Sequence, residues 1–129
     1  MEKKYLSQII ANDNEGLQMI SACCAGAEIK VRDIKYLQKN KVFLLYLKRI
    51  KIENEGNKVT SICKFDFVDS VKSKNISQEN IDQKLELITM DYLKNNNNYE
   101  ISLIFANNAY ITLSTEIIEV TLDDQNKID

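Results

Sequence analysis

Two arginines, Arg32 and Arg49, stand in a chain that otherwise carries its positive charge on 15 lysines. A guanidinium presents a planar fork of donors that grips a carboxylate or phosphate through two bonds, which an ammonium does not. Arg49 closes an alternating apolar series, Phe43, Leu45 and Leu47. There it can line a pocket rim and bind an anionic ligand, or form an internal ion pair with Glu116 or Glu119; internal pairing is the commoner fate. Glu116, Glu119, Asp123 and Asp124 gather downstream. Paired carboxylates can exchange protons with a substrate or hold a hard cation. Glu116 and Glu119, however, point to opposite faces of a regular strand, and the spacing matches no metal motif. A solvated edge is the expectation for this cluster. Cys24 lies on an apolar helical stripe and reads as a small core residue. Neither it nor its neighbour Cys23 has an evident base or cation to activate a thiolate. Tyr5, Tyr36, Tyr46, Tyr92, Tyr99 and Tyr110 read as half-buried sheet residues. No catalytic residue, metal-ligand set or cofactor is assigned.

Composition removes further classes of chemistry. The 129 residues include no His, Trp or Pro. Without His there is no Ser-His-Asp or Cys-His catalysis and no His-ligated metal. Gly16, Gly26 and Gly56 are too scattered for a phosphate-cradling loop. The length fits one domain, residues 1–129, with an ordered core over about 5–124. Three cysteines without a CxxC spacing fit a reducing, cytoplasmic compartment. No apolar run approaches the roughly 18 residues of a membrane span, and the N-terminal apolar patch is too short for a signal-peptide core.

The net charge of −2 is a cancellation. Residues 30–74 hold 12 Lys and Arg against 5 Asp and Glu, and the rest of the chain holds 5 against 14. One reading is a basic surface (Lys48, Lys51, Lys64, Lys72, Lys74) that takes a nucleic acid or other polyanion. The other is that basic central strands pair with acidic C-terminal ones. A sequence pI of 5.3 disfavours nucleic acid.

The elements that must position these residues follow from periodicity. Tyr5 to Ile10 reads as a short strand. Asn12, with Glu15 three residues on, offers an N-cap to an amphipathic helix over 13–25, which buries Leu17, Ile20 and Cys24 and ends at Gly26. From Ala27 the period is two. Bends are expected near Asp33 and at Glu116-Ile117, where the alternation changes phase. Val42 to Ile52 and Val59 to Val71 form a long hairpin around residues 53–57. A symmetric loop sets Phe43 opposite Phe67, Leu45 opposite Phe65, Leu47 opposite Cys63 and Arg49 opposite Ser61. Leu85 to Leu93, Tyr99 to Ala106 and Tyr110 to Thr115 are further strands. The run Asn95 to Asn98 is a loop, and Asn107-Asn108 is a candidate type I′ turn.

Three stretches carry a resemblance: Phe43-x-Leu45-x-Leu47-x-Arg49-x-Lys51; Phe65-Asp66-x-Val68-x-x-Val71-Lys72-Ser73-Lys74-x-Ile76; and Ile111-x-Leu113-x-x-Glu116-x-Ile118-Glu119-x-x-Leu122-x-Asp124. In order and spacing they are similar to an uncharacterised bacterial family, domain of unknown function 2948. The departures are Thr115, where the family pattern is aliphatic, and the Asn-rich loops, where it is rich in Gly and Pro. The resemblance implies no known activity.

The expected architecture is α+β: a curled, mainly antiparallel sheet of about seven strands with one N-terminal helix. Closure into a barrel of the pleckstrin-homology kind is left open. The leading expectation for function is a non-enzymatic, cytoplasmic domain that binds another protein or assembles with itself. The alternatives are binding of an anionic ligand or nucleic acid at the basic 30–74 surface, and a small enzyme using Arg49 with Glu116 or Glu119.

Overall fold

The computed structural model describes residues 8–51 and 57–125. Among them are one α-helix and ten strands. In chain order these are β1 (Gln8–Ala11), α1 (Asn14–Cys24), β2 (Glu28–Lys30), β3 (Ile34–Leu37), β4 (Val42–Lys51), β5 (Asn57–Phe65), β6 (Val68–Lys74), β7 (Lys84–Asn95), β8 (Asn98–Phe105), β9 (Ala109–Thr115) and β10 (Val120–Asp124). Every pairing is antiparallel. The strand path runs β1-β10-β5-β4-β2-β7-β8-β9-β6, with β3 also on β4. The path is open, with β1 at one end and β6 at the other, so the barrel closure left open by the sequence does not occur. Ten strands replace the expected seven, in part because the chain bends within two stretches, one that reads as continuous and one where a bend is expected.

The first such stretch is 59–71. Phe67 adopts φ 60, a left-handed conformation that breaks it into β5 and β6. The second is the expected bend after Thr115, which separates β9 from β10. These two bends are one feature. β5 pairs with β10 and β6 pairs with β9, so the four strands form a single ribbon folded at its middle. The corner is stitched by Asp66 N–H donating to Glu119 O (2.9 Å) and Glu116 N–H donating to Phe67 O (3.3 Å). The other expected bend, near Asp33, is a 3-10 turn at Val31–Asp33 that moves the chain from β2 to β3.

The hairpin register differs from the symmetric estimate by two residues. Phe43 faces Phe65, Leu45 faces Cys63, Leu47 faces Ser61 and Arg49 faces Val59. A shift of two leaves every side chain on its face. The core face of the hairpin is therefore the expected one, but Phe67 lies beyond it, at the corner. Loop residues 53–56, on which the estimate rested, lie outside the described residues.

α1 covers the interior with Leu17, Ile20, Ser21 and Cys24. Its cap is Asp13 and not Asn12: the Asp13 carboxylate accepts from Gly16 N–H at 2.8 Å. A Cβ on Gly16 would lie 2.8 Å from Ala11 Cα, so a bare glycine lets the helix fold back on β1. Gly26 follows the helix at φ 83, as its end requires. The helix docks on a bulge in β7, where the register shifts between Leu87 and Thr89. Leu85 and Leu87 face inward before the bulge and Met90 after it; a regular strand would turn Met90 to solvent. Just past the bulge the Met90 N–H donates to Ser21 Oγ at 2.8 Å. A helix residue thus satisfies the irregularity that restores the alternation.

The two remaining turns differ in length from expectation, one shorter and one longer. Asn95 pairs with Asn98, leaving only Asn96 and Asn97 between β7 and β8. Asn107 and Asn108 both take positive φ, but in a three-residue loop, because the last pair is Phe105 with Ala109.

Thr115 faces the core opposite Val68 and Tyr99 and is fully buried. Its hydroxyl has no hydrogen-bond partner among the described residues. An aliphatic side chain suits this site, and Thr115→Val is expected to stabilise the fold by about 1–2 kcal/mol. Urea unfolding checks this; a lower midpoint would mean that the hydroxyl is paired.

Candidate functional site

Arg49 sits inside the protein. Its side chain and that of Asp124 are 2% and 0% exposed. They lie on β4 and β10, with β5 between them, and Asp124 is in register with Ser61 of β5. The guanidinium reaches across β5. Arg49 Nη2 donates to both Asp124 oxygens, at 3.0 and 3.2 Å, and Nε to Oδ1 at 3.3 Å. Ser61 Oγ accepts from Arg49 Nε (3.2 Å) and donates to Asp124 Oδ1 (2.7 Å). Three adjacent strands are cross-linked by one charged, hydrogen-bonded unit. The arginine fork is occupied by a carboxylate of its own chain.

The choice of carboxylate corrects two expectations. Arg49 pairs with neither Glu116 nor Glu119, and Asp124 is no part of a solvated edge. Glu116 lies at the ribbon corner, where Lys41 Nζ is 3.4 Å from it and 3.0 Å from Asp69. Hydrogen bonds to Asp69 and Glu116 raise the Lys41 ammonium above its ordinary pKa. Lys41 and Arg49 are eight residues apart along an extended chain, about 26 Å at ~3.3 Å per residue. Glu119 is half-buried in the same corner. The structure does not bring Glu116 or Glu119 to Arg49. The residue that sequence reasoning missed was legible in the alternation: Val120, Leu122 and Asp124 share one face of β10, and that face is buried.

The thiols are closed as well. Burial pushes the Cys24 thiol up to about 12, which outweighs the opposing pull of the Arg49 charge. Burial likewise pushes Cys63 well above its ordinary value. At pH 7 the Cys24 thiolate is on the order of one molecule in 10⁵, too few for a nucleophile. The pH consequence has a definite sign. An unfolded thiol releases its proton near 9.0, whereas the folded Cys24 thiol holds it to about 12. The contribution to stability is therefore whole below pH 9 and falls as pH rises from 9 toward 12. The urea midpoint is expected to drop over that window, and to drop less in Cys24→Ala.

The basic residues are spread over both halves of the ribbon. Lys48 is exposed on β4, and Lys51 pairs with Asn57 at the far end of the hairpin. Lys64 lies 3.8 Å from Asp66. Lys72 and Lys74 belong to β6, in the other half of the ribbon. The Lys41–Glu116 and Arg49–Asp124 pairs join the basic segment to the acidic C-terminal one. The second arginine, Arg32, makes a surface ion pair with Asp82. Among the described residues no group of His, Cys, Asp and Glu is placed to hold a metal ion, and no helix is long and apolar enough to cross a membrane.

No curated protein and no solved structure matches the chain. A family match covers nearly all of it. Residues 7–128, which include the folded ribbon and the Arg49–Ser61–Asp124 unit, match the family described as protein of unknown function (DUF2948), and the chain belongs to that family.

Proposed function

We propose that this protein is a non-catalytic binding domain that takes another protein or a second copy of itself. One observation carries the reading: the side chains best suited to chemistry, Arg49, Asp124, Cys24 and Cys63, are sealed in the interior. Arg49 and Asp124 also engage each other there. What the fold offers outward is shape and surface.

The ribbon corner supports this reading. Phe67 is 40% exposed and Ile117 45% exposed. A phenylalanine at φ 60 costs of order 1–3 kcal/mol in backbone strain, which an Asn would largely avoid. Placing an aromatic side chain there, half in solvent, fits a contact made with a partner better than a contribution to the core. The free thiols Cys23, Cys24 and Cys63 agree with a reducing, cytoplasmic setting. Light scattering against concentration, with affinity capture from the native cell extract, tests the reading. Phe67→Asn is expected to keep the fold and weaken self-association or capture. Association unchanged in that variant, or none of either kind in the parent protein, would overturn it.

A further inference from the structure

A cleft of about 420 Å³ opens where β2 joins the two halves of the sheet, within the size range of small-molecule sites. Its walls differ in charge. On one side Lys48 of β4 and Lys58 of β5 face it beside Ile50, which is in register with Lys58. Neither lysine has a carboxylate at ion-pair distance among the described residues. Glu28 of β2 follows, in register with Lys48 on one side and with Glu86 of β7, which forms the far wall, on the other. Facing like charges on paired strands repel. Lys84 relieves only part of this, lying 3.8 Å from Glu28. The rim is held by Asn75, which donates to Asn108 O at 2.7 Å.

We propose that this cleft binds a small hydroxylated anion, its negative head on Lys48 and Lys58 and its hydroxyl donors turned to Glu86. The head satisfies two ammonium groups that have no carboxylate at ion-pair distance among the described residues. The donors satisfy a carboxylate crowded by another. A donor-free polyanion suits only the first wall and is repelled by the second. The proposal stands apart from the protein-binding reading, because the cleft lies away from the ribbon corner and uses none of its residues.

The test uses two probes, glucose 6-phosphate, which carries both a head and donors, and sulfate, which carries a head alone. Calorimetric titration at low salt is expected to show glucose 6-phosphate binding that weakens as salt is added. Lys48→Gln with Lys58→Gln is expected to weaken it by about tenfold or more, the effect of losing a charge-assisted hydrogen bond. Lys94→Gln, at the far end of β7 and outside the cleft lining, is expected to leave it unchanged. Glu86→Gln is expected to weaken glucose 6-phosphate and strengthen sulfate, since the repulsion goes and the strong acceptor goes with it. No glucose 6-phosphate binding at low salt, or equal binding by the cleft variant and the parent, would overturn the site. Tighter binding of both probes to Glu86→Gln would overturn the assignment of the donors.

Discussion

Replacing Asp124 with alanine is expected to lower the free energy of unfolding by about 3–5 kcal/mol, measured by urea unfolding at neutral pH. The size follows from what is left behind. Arg49 is almost fully buried and its fork is turned on Asp124, so removing the carboxylate takes a bidentate counter-charge from a cation in a low-dielectric interior. The lost attraction is the smaller part of the effect; the desolvation of a charge left with less compensation is the larger. That division is itself testable. Arg49→Met combined with Asp124→Leu removes both charges and is expected to recover most of the loss, because apolar replacements of a buried pair are often neutral. Ser61→Ala takes away one donor and one acceptor and is expected to cost less than Asp124→Ala. A loss under about 1 kcal/mol for Asp124→Ala would show that water reaches the guanidinium, as at a surface pair.

Phe65→Ala is expected to destabilise the protein by a comparable amount, about 3–5 kcal/mol. Phe65 is completely buried, with its ring centre 6.0 Å from that of Phe43 at an interplanar angle of 59°. It also faces Val120 across the β5–β10 pairing, at the last position before the ribbon turns its corner. Truncation there opens a cavity where β4, β5 and β10 meet, a place with little freedom to collapse. The contrast with Phe67 is informative. The two aromatics are two residues apart and would share a face in a regular strand, yet Phe67→Asn is expected to leave the fold intact. Equal losses at both positions would mean that β5 continues through residue 67.

Local periodicity made much of this legible. The faces of the central hairpin, the helix with Leu17, Ile20 and Cys24 inward, and the bends near Asp33 and after Thr115 all follow from where alternation holds and where it changes phase. The corner at Phe67 did not show, because hydrophobic alternation carries straight through Cys63, Phe65 and Phe67 and gives no warning of a left-handed residue. The bulge in β7 stayed hidden for a related reason: Leu85, Leu87 and Leu93 satisfy one phase, while Met90 belongs to the other. Arg49 stood out by its type and place, but its partner required knowing that β10 lies beside β5. Asp124 was passed over because carboxylates are usually exposed, although its position two residues after Leu122 put it on the buried face.

The place of β10 has a consequence for biosynthesis. This strand fits between β5 and β1, which both precede it by more than fifty residues. A ribosome that has translated β1 through β9 has therefore released an unfinished sheet. The slot between its first and fifth strands is empty, and Arg49 has no Asp124 to meet. Pairings between such distant segments form slowly, and open strand edges invite wrong partners while they wait. Completion of the fold falls to the insertion of one short late strand, whose aspartate doubles as the latch.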